Sequence, residues 1–161
     1  MKTIRVAWGS ATGPTAMSSF DAALADAGVH NYNLVTLSSV IPAEAHVERV
    51  GTAPDLGPAG NVLYAVVGRE TLVPGVDSDA AAGLGWVRSE SGRGLFYEAS
   101  GTDPDAVKRA VESGLQRGME LREWAFVADP EVVIESTPAD DAEHTTAVVI
   151  AAYGDSESLL E

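Results

Sequence analysis

Residues 20–42 read FDAALADAGVHNYNLVTLSSVIP and predict a helix, a stop and an extended segment in succession. Apolar side chains recur there at helical spacing, at Phe20, Ala23, Leu24 and Ala27. Ser18 or Ser19 can cap the start of this helix, and Gly28 ends it. The following residues 31–42 are β-like and stop at Pro42. The segment therefore begins a fold that mixes a helix with strands.

The rest of the chain adds one more helix and several strands. That helix is expected from Thr102, because Asp103 favours its N-terminal dipole and Pro104 is tolerated in a first turn. An irregular surface excursion is expected at residues 43–60. Strands are expected at residues 4–8, 62–67, 83–88, 94–99, 123–127, 132–135 and 145–153. This order predicts an α+β fold in a single domain spanning residues 1–161.

The composition is that of a globular protein with an acidic surface. Hydrophobic residues make up 45% of the 161 residues and charged residues 21%, which argues against a disordered chain. The formal net charge is −14, from 24 acidic and 10 basic residues, so nucleic acid is not an expected partner. Such a balance is typical of proteins adapted to multimolar salt, where charge repulsion is screened. An ordinary acidic enzyme is the alternative.

Neither a membrane segment nor a metal site is expected from the residues. The longest apolar run, at residues 148–153, is too short to span a bilayer, and no export signal is visible. The chain has no cysteine, and His30, His46 and His144 lack the spacing of metal ligands. The cytoplasm is therefore the expected compartment.

From the residues alone, the candidate catalytic groups have ordinary interpretations. Ser38 and Ser39 end a β-like run, where their hydroxyls could simply bond to backbone groups. Glu98, within GLFYEASG at residues 94–101, could be a strand carboxylate that faces solvent. Asp21 could stabilise the helix dipole from position N1 or N2, and Asn33 could satisfy a strand edge.

A family resemblance changes these interpretations. Residues 20–42 resemble the self-processing region of the pyruvoyl-dependent arginine decarboxylases, in which a helix ending in Gly leads to an Asn-Leu-Val strand and a Ser-Ser-aliphatic-aliphatic-Pro site. GLFYEASG and the helix leading to LREW, at residues 121–124, follow the same order and spacing. The resemblance implies a four-layer αββα sandwich and a homotrimer whose active sites lie between neighbouring subunits.

The resemblance also implies that the chain cuts itself. The Ser39 hydroxyl would attack the Ser38 carbonyl, which requires local strain and an oxyanion donor. The products would be a β chain of residues 1–38 and an α chain of residues 39–161, with a covalent pyruvoyl cofactor generated from Ser39. The ketone of that group would form a Schiff base with the substrate's α-amine, the role that pyridoxal phosphate fills in other decarboxylases.

Five further residues receive roles from the resemblance. Glu98 would stay protonated among apolar neighbours and donate a proton to the substrate's α-carbon. Asp21 would bind the guanidinium of an arginine substrate through two parallel hydrogen bonds. Asn33 would hydrogen-bond near the pyruvoyl group, while Leu24 and Val40 would form apolar walls or serve only as core residues.

Three functional hypotheses follow. The first is decarboxylation of L-arginine to agmatine and carbon dioxide, with an amino acid as the small-molecule partner. The second keeps the pyruvoyl group but changes the amino acid, for example to histidine. The third is an uncleaved, non-catalytic subunit that only assembles with a partner.

Overall fold

The computed structural model describes residues 2–160 as an α+β fold with two helices and nine strands. Met1 and Glu161, the ends of the predicted 1–161 domain, lie outside the described residues. The elements are β1 (Lys2–Gly13), α1 (Ala16–Ala27), β2 (Asn33–Thr36), β3 (Val40–Ile41), β4 (Ala45–Gly51), β5 (Val62–Leu72), β6 (Asp79–Arg88), β7 (Gly94–Gly101), α2 (Pro104–Glu120), β8 (Glu131–Pro138) and β9 (His144–Tyr153). The predicted α+β class is confirmed.

The strands form two sheets. The first sheet has the order β2-β5-β9-β1-β4, and the second has the order β3-β7-β6-β8. Strand β4 runs parallel to β1, and β2 runs parallel to β5; the other pairs are antiparallel. The chain therefore passes from the first sheet to the second between β2 and β3, at the two adjacent serines.

The largest apolar cluster lies between the sheets. Val6 and Val149 reach it from the first sheet, and Leu84, Trp86 and Phe96 from the second. Helix α1 packs on β1, β5 and β9, while α2 packs on β6, β7 and β8. Each sheet thus contributes to a shared apolar cluster and packs against one helix.

Helix α1 ends where predicted but begins earlier. Gly28 adopts a left-handed conformation with φ 83° and caps the C-terminus, as its position in the sequence indicated. The N-cap is Thr15, so the prediction of Ser18 or Ser19 is wrong. Ser18 instead occupies position N3 and completes a capping box with Thr15. Both residue types can cap a helix, and the apolar spacing does not locate the first turn.

Three other predictions need correction. The excursion expected at residues 43–60 contains a strand, β4, because the prolines and glycines that disrupt regular structure begin only after residue 50. The strand expected at 123–127 is wrong: within the described residues this segment contributes a single bridge, from Phe126 to Ser89. The β-like run at 31–42 divides into β2 and β3, which belong to different sheets.

Candidate active site

The two adjacent serines lie in the passage from the first sheet to the second. Thr36 ends β2, and the N–H of Leu37 donates to the carbonyl of Ala65 at 2.9 Å. Ser38 is exposed and Ser39 is half-buried. The carbonyl of Ser39 then accepts a hydrogen bond from the N–H of Phe96 at 2.8 Å, in the second sheet. Residues 38 and 39 are therefore held between two sheets.

A backbone donor lies on the carbonyl that self-cleavage would attack. The N–H of Val40 donates to the carbonyl oxygen of Ser38 at 2.9 Å, closing a three-residue turn centred on Ser39. Ala128 is the only non-glycine residue among 2–160 with a positive φ, so the turn at Ser39 is of the common inverse type. The strain that was expected at the serine pair is therefore not a left-handed backbone conformation. The expected oxyanion donor has a candidate in the Val40 N–H, which bonds to the Ser38 carbonyl oxygen.

Ser39 and Glu98 are brought together from segments 59 residues apart. The Ser39 hydroxyl donates to Oε2 of Glu98 at 3.1 Å. Strand β7 positions Glu98, which pairs in register with Leu84 of β6, and its side chain is half-buried. A carboxylate in this position can accept the proton of the Ser39 hydroxyl and so raise the nucleophilicity of its oxygen.

This pair opens into a cavity of about 690 Å³ between the β3–β7 edge and α2. Its walls include Val40 and Tyr97 from the strands and Leu121 and Arg122 from the end of α2. Val40, Tyr97 and Leu121 are unusually exposed for large apolar residues, at 44%, 42% and 82%. The mouth of the cavity thus presents apolar surface to its surroundings.

Two of the predicted site residues line a second cavity. Leu24 and Asn33 lie around about 460 Å³ of space that is also bordered by Phe20 and Arg69. The Asn33 side chain donates to the carbonyl of Gly60 at 2.8 Å, and the Arg69 guanidinium lies 4.4 Å from the centre of the Phe20 ring. Leu24 is 7% exposed and packs into the core beneath α1.

Asp21 is exposed on α1 and lines neither cavity. The helix begins at Ala16, which places Asp21 at its sixth residue and beyond the first turn. Stabilisation of the helix dipole from N1 or N2, the ordinary interpretation of this carboxylate, is therefore wrong. Within residues 2–160, the salt bridges engage other carboxylates.

A single chain thus divides the predicted site into parts. Ser38, Ser39, Val40 and Glu98 surround one cavity, Leu24 and Asn33 border another, and Asp21 faces outward. Within the described residues no group of three acidic or histidine side chains is arranged to hold a metal ion. Neither helix between residues 2 and 160 is long and apolar enough to cross a membrane.

Tyr153 is a contact of the site that the sequence did not reveal. Its hydroxyl donates to the carbonyl oxygen of Val40 at 2.8 Å. The sequence places Tyr153 only at the end of a predicted strand, TTAVVIAAY at residues 145–153. The available signal was a phenol ending an otherwise aliphatic and small-residue strand, which suggests that its hydroxyl has a specific partner.

The comparisons with known proteins agree with one another. A family model described as pyruvoyl-dependent arginine decarboxylase matches residues 3–158. Two strains of Halobacterium salinarum have a protein named pyruvoyl-dependent arginine decarboxylase that is 53% identical over 163 aligned positions, covering 100% of this chain and 99% of the relative. A relative of the same name from Thermococcus kodakarensis is 42% identical, over 81% of this chain and 84% of the relative. Another from Methanopyrus kandleri is 33% identical, over 90% of this chain and 91% of the relative.

Proposed function

This chain belongs to the pyruvoyl-dependent arginine decarboxylase family, and on that premise we propose that it cleaves itself between Ser38 and Ser39 and converts L-arginine to agmatine and carbon dioxide. The observation that carries the proposal is the hydrogen bond from the Ser39 hydroxyl to Glu98, beside a Ser38 carbonyl that already accepts the Val40 N–H. A nucleophile, a base and an oxyanion donor are the groups that acyl transfer requires.

Self-cleavage would proceed in two bond-breaking steps. The Ser39 oxygen, with its proton drawn to Glu98, attacks the Ser38 carbonyl carbon; the C–N bond breaks, and residue 39 is left with a free amine and an ester to Ser38. Loss of the α-proton of residue 39 then breaks its Cβ–Oγ bond and releases residues 1–38 with a C-terminal carboxylate. The remaining enamine takes up one water and loses ammonia, which leaves the pyruvoyl group at residue 39.

The residues around Ser39 fit a pyruvoyl group. Cleavage would remove the hydroxyl that bonds to Glu98, and the Phe96 N–H, which bonds to the Ser39 carbonyl in the uncleaved chain, would hold the carbonyl of residue 39. The pyruvoyl ketone supplies a carbonyl that accepts the substrate's α-amine and the electron pair released with carbon dioxide. Glu98, in its protonated form, would deliver one proton to the α-carbon in a cavity that Val40 and Tyr97 also line.

The rest of the predicted site would come from a neighbouring subunit of a homotrimer. The separation of Asn33 and Leu24 from the Ser39 cavity supports this arrangement, as does the apolar mouth formed by Val40, Tyr97 and Leu121. An exposed apolar surface of this kind is typical of protein–protein interfaces. Asp21 would then bind the guanidinium. We further propose the four-layer αββα sandwich, supported by the packing of one helix on each sheet.

Substitution of Asp21 by asparagine tests the proposed contact with the guanidinium. The substitution keeps the volume but removes the charge that would pair with a guanidinium, so arginine turnover at low substrate concentration should fall by roughly 10- to 100-fold. Asp105→Asn is the matched control, because Asp105 is also an exposed aspartate on a helix and lines neither cavity. Unchanged arginine turnover in Asp21→Asn would contradict the proposed pairing of Asp21 with the guanidinium.

A further inference from the structure

We propose that Tyr153 is a positioning residue for self-cleavage: its hydroxyl fixes Val40 so that the Val40 N–H polarises the Ser38 carbonyl. The inference rests on the proposed function, since it concerns the first step of that cleavage. It joins a residue near the end of the chain to a bond 115 positions earlier in the sequence. The Tyr153 hydroxyl donates to Val40, and the hydrogen bond between the nucleophile and the base joins Ser39 to Glu98.

The peptide unit between Ser39 and Val40 is the piece that must be held. Its carbonyl accepts the Phe96 N–H at 2.8 Å, and the N–H of a trans peptide points opposite to the carbonyl. The Val40 N–H is therefore directed away from β7 and onto the Ser38 oxygen, 2.9 Å away. A rotation of this peptide plane would weaken both contacts and would remove the donor from the developing oxyanion.

Strand β3 is too short to hold this plane by itself. It consists of Val40 and Ile41, which pair with Leu95 and Gly94 at one edge of the second sheet. Tyr153 supplies a second anchor from the first sheet, where β9 ends, through its bond to the Val40 carbonyl at 2.8 Å. Val40 is thus held from the β7 side by backbone pairing and from the β9 side by a phenol.

The environment of Tyr153 keeps the phenol in place and protonated. Its ring packs against the cluster between the sheets, with its centroid 6.1 Å from that of Phe96. Burial raises the pKa of the Tyr153 phenol well above its usual range. Because the neutral phenol is the form that donates, the hydrogen bond to Val40 persists through neutral and moderately alkaline pH.

The test follows self-cleavage of the full chain after cell-free synthesis, with intact mass recorded over time. Tyr153→Phe removes the hydroxyl and keeps the ring, so cleavage should slow by roughly tenfold, the effect of losing one hydrogen bond that orients the reacting groups. Tyr32→Phe is the matched control for the cleavage rate. The Tyr32 hydroxyl also bonds to backbone, accepting from Leu56 at 3.0 Å and donating to Gly57 at 3.3 Å.

Hydroxylamine separates the steps, because it cleaves the ester intermediate but not an amide. If Tyr153 acts on ester formation, hydroxylamine will not restore the cleavage rate of Tyr153→Phe. Full restoration of the cleavage rate by hydroxylamine would overturn the inference. Cleavage of Tyr153→Phe at the wild-type rate would also overturn it, and so would an equal slowing of cleavage in Tyr32→Phe and Tyr153→Phe. A wild-type chain that never cleaves would instead contradict the proposed function, and the inference with it.

A backbone substitution provides a second test that does not depend on the folding of Tyr153→Phe. Replacing Val40 by its α-hydroxy acid changes the amide N–H to an ester oxygen and leaves the side chain intact. Self-cleavage should then slow by about 10²- to 10³-fold, as for the loss of one oxyanion donor. Cleavage at the wild-type rate would show that the Val40 N–H takes no part, and the role of Tyr153 would fall with it.

Discussion

Ser39 and Glu98 show what a sequence can and cannot reveal about a catalytic pair. Neither residue has a local pattern that distinguishes it from an ordinary strand serine or a solvent-facing glutamate, and the family resemblance supplied both. The distance of 3.1 Å between Ser39 Oγ and Glu98 Oε2 results from the pairing of β3 with β7. Local spacing in the sequence does not encode that pairing. The pair has a consequence for Glu98, since one carboxylate would accept a proton before cleavage and donate one afterwards.

Glu98→Gln should affect both stages. Glutamine keeps the shape of the side chain but neither accepts a proton from Ser39 nor delivers one to a substrate carbon. We expect slower self-cleavage, and for the cleaved fraction a fall in carbon dioxide release of at least about 10²-fold per pyruvoyl group. Glu90→Gln, at an exposed glutamate outside the cavity, should behave as wild type. Turnover in Glu98→Gln within a factor of a few of wild type would exclude the acid role.

The contacts that the sequence did not predict at this scale are backbone donors and a distant phenol. Every non-proline residue has a backbone N–H, so the donors at Val40 and Phe96 have no sequence signature. Tyr153 meets Val40 only because β9 and β3 lie in facing sheets, 113 residues apart in the chain. Such groups become visible once the topology is known.

At the scale of elements, the close packing of α1 on β1 requires glycine in the strand at Gly9 and Gly13. A Cβ at Gly9 would lie 2.6 Å from the carbonyl oxygen of Ala23 and 2.9 Å from the nitrogen of Ala27. Both are backbone atoms of the helix, so no side-chain rotation can relieve the clash. The helix itself was predictable from its apolar spacing and Gly28, but its distance from β1 was not.

Gly9→Ala should therefore destabilise the fold. The helix must move away from the sheet, and the free energy of unfolding should fall by about 1–3 kcal/mol, the typical effect of overpacking a close contact. Gly101→Ala is the control, because a Cβ there meets only Val107 at an ordinary distance of 3.4 Å. Equal denaturant midpoints for the two variants would contradict the close packing of α1 on β1.

The strand β4 shows why some elements were not predicted. Residues 45–51 alternate weakly, and the Pro- and Gly-rich stretch that follows them suggested a loop. What stabilises β4 is its parallel pairing with β1, at an edge of the first sheet. Nonlocal pairing of this kind overrides a weak local preference.

For the whole molecule, the predicted site residues line two separate cavities in one chain, with Ser39 and Glu98 in one and Leu24 and Asn33 in the other. The α+β class followed from the order of elements, and the sheet orders did not, because they depend on pairings between distant strands. A shared site would explain why the Asn33 and Ser39 sides occupy different cavities. The homotrimer stays a prediction. So does the adaptation to high salt, which the net charge of −14 suggests.

Complementation tests the shared site. Co-expression of Asp21→Asn with Ser39→Ala should restore activity, because the first chain supplies the pyruvoyl group and Glu98 while the second supplies an intact Asp21. In a cyclic trimer assembled at random from equal amounts, about one site in four would combine the two intact halves. The measurement is agmatine formation per total site.

A chain carrying both substitutions, co-expressed with wild type, provides the control. If neighbouring subunits share each site, this mixture also retains about a quarter of the wild-type activity by the same symmetry. If each site lies within one chain, the control retains about half and the complementing pair recovers nothing. That second pattern would contradict the proposed position of Asp21.

The central claim is that the chain cuts itself at the serine pair, and intact-mass spectrometry of the purified protein tests it most directly. We predict two species, residues 1–38 with a free carboxylate and residues 39–161 with a blocked N-terminus that reacts with a carbonyl reagent. A single species with the mass of the uncleaved 161-residue chain would contradict self-cleavage and would favour a non-catalytic subunit.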